Sequence, residues 1–189
     1  MSGQPLAVAL VHAPVLDRRG DRVVSAVTNL DLHDIARSAR TYGARRFYVV
    51  TPAHEQVALV KRITRHWSEG HGAAYHPDRA EALRLIETVP RLEAAIAAWE
   101  AELGRPVCPV LTGAARQDGI DFVACRRLRA EQPLLLILGT GWGLAPELFE
   151  RGWTVLEPVR GVANYNHLSV RAAAAIILDR LHLPETVAV

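Results

Sequence analysis

Residues Leu134–Leu138 are five consecutive branched aliphatics, and no other feature restricts the folding of this chain as much. A run so short and so apolar reads as a strand buried on both faces. Such strands belong to parallel sheets covered by helices on both sides. Leu6–Val15 makes the same demand. Phe47–Val50 (closed by Thr51-Pro52), Val107–Leu111 (interrupted by Pro109) and Trp153–Leu156 are further strand candidates.

Helical segments alternate with these strands. Asp31–Tyr42 has apolar positions at Leu32, Ile35, Ala36 and Ala39, a cap from Asn29 or Asp31, and Gly43 as its stop. Glu55–Trp67 follows, then a glycine-containing loop over Ser68–Pro77. Asp78-Arg79-Ala80-Glu81 has capping-box character and starts a helix. Another runs from Pro90 to Leu103, with Trp99 in the core, and Gly104 follows it. Ile120–Ala130 and Asn166–Leu181 complete the set, the last capped by Asn166 or Ser169. The alternation predicts an α/β domain, a mostly parallel sheet with helices on both faces. With 189 residues, no linker and no repeat, residues 1–189 form one domain.

Composition narrows the class. Half the residues are hydrophobic, which excludes a disordered chain. Cys108 and Cys125 lie 17 apart and form no disulfide framework. The N-terminus lacks the basic n-region of a signal peptide, and no apolar stretch spans a bilayer. The expectation is a cytoplasmic protein without membrane attachment. Neither the cysteines nor His66, His71 and His76 have metal-ligand spacing, so no metal is expected.

Three segments carry chemistry. In the first, the aliphatic strand runs into Gly139-Thr140-Gly141-Trp142-Gly143-Leu144, three glycines in five residues at a strand's carboxyl end. Glycine lets a backbone approach a ligand closely, and open α/β sheets bind ligands at such ends. The spacing fits neither the dinucleotide fingerprint nor a phosphate-binding lysine loop. The second segment is Leu156–Arg171, a strand end, a loop with Gly161, and a polar helix start. The third is Thr28–Gly43, which places Asn29, Asp31, His33, Asp34, Arg37 and Arg40 at a helix start.

Together these segments resemble the SPOUT class of knotted, S-adenosylmethionine-dependent RNA methyltransferases. Arg37-Ser38-Ala39-Arg40-Thr41-Tyr42-Gly43 is similar to the family's R-T-A-x-A-F-G block. The glycine loop is similar to its G-N-E-G-x-G-L loop. Leu156-Glu157-Pro158, Gly161 and Leu168-Ser169-Val170-Arg171-Ala172-Ala173-Ala174 are similar to its I-P-x-x-G…N-V-S-V-A-A-A segment. The resemblance extends from Leu6 to Leu183 and is closest to a bacterial branch sometimes joined to a tRNA guanine-N1 methyltransferase domain.

The resemblance implies a deep C-terminal trefoil knot, a homodimer, and an RNA site built across the subunit interface. It implies that S-adenosylmethionine is held by Thr112 and Gly113, by Gly139, Thr140, Gly141, Gly143 and Leu144, and by Leu156, Pro158, Gly161, Asn166, His167, Leu168 and Ser169. Arg37 matches the arginine of ribose-methylating members, and Asn29 their upstream asparagine approximately. Asp31 and His33 are the accompanying acid–base candidates. The acidic residue of the family's glycine loop is absent, since Thr140 and Trp142 occupy that neighbourhood. The expected activity is methyl transfer to a ribose hydroxyl or base atom of tRNA or rRNA. The alternative is a knotted RNA-binding module that is inactive or depends on a partner.

Charge gives the RNA reading a location. Arg37–Arg79 carries eight basic and three acidic residues, net +5, while the rest of the chain has 14 and 17, net −3. Within it, Arg40, Lys61, Arg62 and Arg65 are the expected phosphate contacts, and Trp67 the base-stacking ring. Arg126-Arg127-Leu128-Arg129 reads as a solvated helix face.

Overall fold

The structure is a computed structural model that describes residues 3–163 and 165–183. In chain order the elements are β1 (Leu6–Val11), β2 (Val15–Leu16), β3 (Arg22–Val23), α1 (Asn29–Thr41), β4 (Arg46–Val50), α2 (His54–Ser68), α3 (Gly70–Tyr75), α4 (Pro77–Leu83), β5 (Ile86–Val89), α5 (Leu92–Leu103), β6 (Cys108–Leu111), α6 (Phe122–Glu131), β7 (Leu134–Gly139), a 3-10 helix (Pro146–Arg151), β8 (Thr154–Val155) and α7 (Val170–His182). Six strands form one parallel sheet in the order β5-β4-β1-β7-β6-β8, and β2 pairs with β3 as a separate hairpin.

The all-aliphatic runs become the central pair. β1 and β7 align from Leu6↔Leu134 to Val11↔Gly139, and residues 6–11 and 134–138 are all buried. Alternation assigns their side chains to two cores. Leu6, Val8, Leu10, Leu134, Leu136 and Leu138 pack with α1, α2, α4, α6 and α7. Ala7, Ala9, Val11, Leu135 and Ile137 pack with α5 and the 3-10 helix. Trp99 sits in this second core, and its indole N–H donates to the Leu134 carbonyl at 3.3 Å. Pro109 is tolerated because the Cys108 and Thr112 amides point toward β7, so position 109 faces the other way. There β8 pairs only from Val110 onward, and no ladder bond is lost.

Several local expectations change. Thr28 caps α1, accepting from the Asp31 amide at 3.1 Å. Residues 68–77 are largely helical, forming α3. The capping box at Asp78 does not form, since α4 starts with Pro77 at its first turn and has no side-chain cap. β5 occupies residues 86–89, so α5 begins at Leu92, after Pro90. Ser169 caps α7, accepting from the Ala172 amide. Arg129 is buried rather than solvated, its guanidinium donating to the carbonyls of Leu181 and Gln4. Arg126 likewise reaches the Arg180 carbonyl, so α6 secures the last turn of α7.

Candidate functional site

The sheet order reverses between β1 and β7, and the loops leaving the carboxyl ends of β7, β6 and β8 lie side by side. That is where open α/β sheets take ligands. The Thr112 amide and hydroxyl both donate to the Ile137 carbonyl, at 3.1 and 2.9 Å, which ties the β6 exit to β7. Gly113 begins a turn closed by the Arg116 amide at 3.2 Å. Leu156 is buried, and its amide donates to the Leu111 carbonyl at 2.9 Å. Pro158 is buried, whereas Gly161, His167 and Leu168 are exposed. Asn166 donates from its side-chain amide to the Ala114 carbonyl at 3.3 Å, which joins the β8 exit to the β6 exit. The three loops that hold the predicted cofactor residues thus leave adjacent strand ends, a ledge along the carboxyl edge of the sheet.

The glycine loop has a second neighbour. The β2–β3 hairpin is zipped onto it: the Leu16 amide donates to the Gly143 carbonyl, and the Trp142 amide to the Leu16 carbonyl, both at 3.0 Å. Val15 pairs with Leu144 across an antiparallel bridge. Gly141, at φ +60°, would place a Cβ 2.9 Å from the Leu16 carbonyl oxygen, so this glycine is required by the protein's own backbone. Gly139 would place one 2.9 Å from the Leu144 amide nitrogen. Thr140 points inward, its hydroxyl donating to the Val11 carbonyl at 2.9 Å.

Beside the ledge stands the N-terminus of α1. Asn29 is exposed there. Asp31 is buried, at 8% exposure. Its carboxylate accepts from the Thr28 hydroxyl at 2.6 Å and from Arg171 of α7 at 3.5 Å. Arg171 also pairs with Asp34 at 3.4 Å. One arginine thus fastens the start of α7 to the start of α1. His33 lies on another side, edge-on to Trp67 at 5.6 Å between ring centroids. Burial first, then the Arg79 guanidinium, lower its pKa, so it is a neutral imidazole at pH 7. Arg37 is exposed and lines a cleft of about 400 Å³ with Arg40, Thr41, His76, Asp78 and Arg79. The contacts of a single chain tie Asp31 to the start of α7, next to Ser169, and give no such tie for His33 or Arg37.

The basic segment divides in two. Arg40 is neutralised by Glu81, to which its Nε donates at 2.7 Å. Lys61, Arg62 and Arg65 line an open groove of about 490 Å³ on α2 with Ala58 and His66, and no acidic residue lines it. Trp67 is half-buried, and the Arg79 guanidinium lies 4.3 Å from its ring centroid. Among the described residues, no group of three or more His, Cys, Asp and Glu could hold a metal ion. No described helix is long and apolar enough to cross a membrane.

Sequence reasoning missed two residues at this site, His12 and Ser25. His12 extends β1 beyond its last paired residue and has 0% exposure. Its Nδ1 lies 3.0 Å from the Ser25 hydroxyl, which lies 2.5 Å from that of Thr140. The one available signal was a polar ring inside an apolar strand run.

Comparison with known proteins agrees with this fold. Residues 5–183 match a family described as SAM-dependent RNA methyltransferase. The chain is 42% identical over 179 residues to a tRNA (guanine-N(1)-)-methyltransferase of Oleidesulfovibrio alaskensis, covering 95% of this chain and 42% of that protein. It spans about two fifths of the length of that relative. It is also 37% identical to an uncharacterized protein of Aquifex aeolicus, covering 96% of this chain and 90% of the relative. The crystal structure of the SpoU methyltransferase AviRb from Streptomyces viridochromogenes, in complex with AdoMet, superposes with a TM-score of 0.54. It shares 20% identity over 96% of this chain and 58% of that one.

Proposed function

The chain belongs to the SAM-dependent RNA methyltransferase family, and from that premise we propose where and how it acts. S-adenosylmethionine binds on the ledge of Thr112-Gly113, Gly139–Leu144 and Leu156–Ser169, and the methyl group passes to RNA. tRNA is the first RNA to test, because the Oleidesulfovibrio relative is named for it. The observation that carries this reading is the convergence of the three loops at adjacent strand ends, closed by the Asn166–Ala114 hydrogen bond. The donor set fits the cofactor: exposed Leu168 offers apolar surface, and the loop around exposed Gly141 offers peptide groups without a covering side chain.

The cofactor supplies a methyl group on a sulfonium, which is open to in-line displacement. The protein must then align the nucleophile and assist its deprotonation. Arg37, exposed and without an ion-pair partner among the described residues, anchors a phosphate or orients a hydroxyl. His33 is the better proton acceptor, being neutral at pH 7, while Asp31 is occupied by Thr28 and Arg171. Lys61, Arg62 and Arg65 hold the RNA backbone along α2. Because Arg37 and the ledge do not meet within one chain, the working unit is a homodimer in which one subunit brings α1 to its partner's ledge.

We also read the segment after β8 as threaded through the loop of residues 112–121, which makes the trefoil knot. Support comes from Gly119, where a Cβ would lie 2.5 Å from the Leu156 carbonyl carbon and the Glu157 amide nitrogen. The protein works in the cytoplasm, in keeping with its RNA substrate and the free thiols Cys108 and Cys125.

The test has two parts. Calorimetry with S-adenosylmethionine should give saturable binding. Incubation with labelled cofactor and total RNA should label one nucleotide, which mapping then identifies. Arg37→Ala should abolish labelling and leave cofactor affinity nearly unchanged. No cofactor binding would favour a module without activity, and full labelling by Arg37→Ala would remove that residue from the reaction.

A further inference from the structure

The hydrogen-bond chain at His12 can be assigned proton by proton. Thr140 donates its hydroxyl proton to the Val11 carbonyl at 2.9 Å, so its oxygen is left to accept. Ser25, 2.5 Å away, donates to it; its other acceptor, the His12 carbonyl, is at 3.5 Å. The Ser25 oxygen then accepts from His12 Nδ1 at 3.0 Å. This fixes the tautomer: Nδ1 carries the proton, and Nε2 is a bare lone pair. That Nε2 is buried with no partner among the described residues. An unpartnered buried acceptor costs stability, and an imidazole in this place therefore asks for a compensating role.

The role lies at the other end of the chain of bonds. Ser25 is tethered to the end of β1, its amide donating to the His12 carbonyl at 2.8 Å. Its hydroxyl reaches across to Thr140, the second residue of the glycine loop. The hairpin that grips the same loop at Leu16 lies between His12 and Ser25 in sequence. His12 and Ser25 therefore hold both ends of the segment against which the loop is folded. Glycine gives this loop no side chains of its own at positions 139, 141 and 143 to fix its shape.

We propose that His12, acting through Ser25 and Thr140, is a positioning residue that fixes the Gly139–Leu144 loop in the shape that receives S-adenosylmethionine. This rests on the assignment of that loop to the cofactor. Burial lowers the His12 pKa to about 4 against the pull of Asp31 and of the Ala26 and Ser25 backbone, so the imidazole stays neutral throughout the physiological range. The same tautomer, and the same donation to Ser25, is thereby kept.

Three variants test it. Ser25→Ala cuts the chain of bonds and leaves His12 and the loop in place. His12→Leu removes the donor. His12→Asn restores it, since an asparagine side-chain N–H falls near the imidazole Nδ1. Ser25→Ala and His12→Leu should each weaken S-adenosylmethionine binding about tenfold, the loss of one buried hydrogen bond. Their combination should lose no more than either alone. His12→Asn should bind within about twofold of the unmodified chain. Equal affinity for Ser25→Ala, or His12→Asn as weak as His12→Leu, overturns the proposal.

A second measurement needs no cofactor. Hydrogen exchange at the Trp142 and Gly143 amides should accelerate about tenfold in Ser25→Ala, with α5 amides unchanged. Unchanged exchange there overturns the proposal as well. If the unmodified chain fails to bind S-adenosylmethionine, the cofactor reading falls, and the exchange result still decides whether His12 and Ser25 shape the loop.

Discussion

His12 shows how one side chain ties stability to pH. In the folded protein its pKa is lowered from 6.5 to about 4, with burial as the main cause. The unfolded chain therefore takes up a proton between those values and the folded chain does not. The group's contribution is fully present above pH 6.5 and is lost as pH falls toward 4, amounting to roughly 3 kcal/mol. Urea unfolding at a series of pH values should show this acid loss in the unmodified protein, and His12→Asn should be less sensitive by that amount. If the two curves stay parallel from pH 7 to pH 4, the imidazole is protonated in the folded state and its burial does not control it. Asp31 needs no such arrangement. Its carboxylate is buried but satisfied by the Thr28 hydroxyl and Arg171, and a paired buried carboxylate is the tolerated kind.

At the scale of elements, the close crossing is at Gly119. Here the segment between β6 and α6 lies against the chain leaving β8, with Ile120 bridged to Leu156. The Ile120 amide donates to the Val155 carbonyl, and the Glu157 amide to that of Ile120. A Cβ at position 119 would collide with the Leu156–Glu157 peptide, which cannot move without breaking those bonds. Gly119→Ala should therefore cost more than about 3 kcal/mol, or leave little soluble protein, when thermal unfolding and yield are compared with the parent. A melting temperature within a few degrees of the parent would mean that the crossing is loose. This crossing was not legible in the sequence, because a glycine needed for close backbone approach looks like any turn glycine. β1 and β7 were legible because a strand covered on both faces must be aliphatic throughout. β5 was not, since Ile86-Glu87-Thr88-Val89 is short, lies at the sheet edge, and is only partly buried. The helix at residues 70–75 was hidden by Gly70 and Gly72. Motif and strand end together marked the glycine loop, but nothing in their spacing links His12 or Ser25 to Thr140 across 115 to 128 positions.

For the whole molecule, the distribution of exposed apolar side chains points to how the site is completed. Tyr75, Val123 and Leu183 are exposed on α3, on α6 and after α7; the other exposed large apolar side chains among the described residues are Val24, Leu30, Trp142, Val162, Tyr165 and Leu168, with Leu30 at 58% and Trp142 at 64%. All six lie in segments that follow a strand of the domain and approach the α1 start or the ledge. Exposed apolar side chains of this kind are characteristic of an association surface. It adjoins the ledge but not Arg37, which faces the cleft beside α4. A two-fold pairing over this face is self-complementary, and it can bring α1 of one subunit to the ledge of its partner. The expected outcome is sedimentation at twice the chain mass in the micromolar range, with about 1,600 Å² buried in total. Leu30→Glu combined with Trp142→Glu places two charges on that face and should sediment as a folded monomer with an unchanged circular dichroism spectrum. Labelling of RNA should fall with the dimer fraction, because an isolated chain holds the ledge and Arg37 apart. If the unmodified chain sediments as a monomer and still labels RNA, the site is complete within one subunit, and Arg37 acts from its own cleft or not at all.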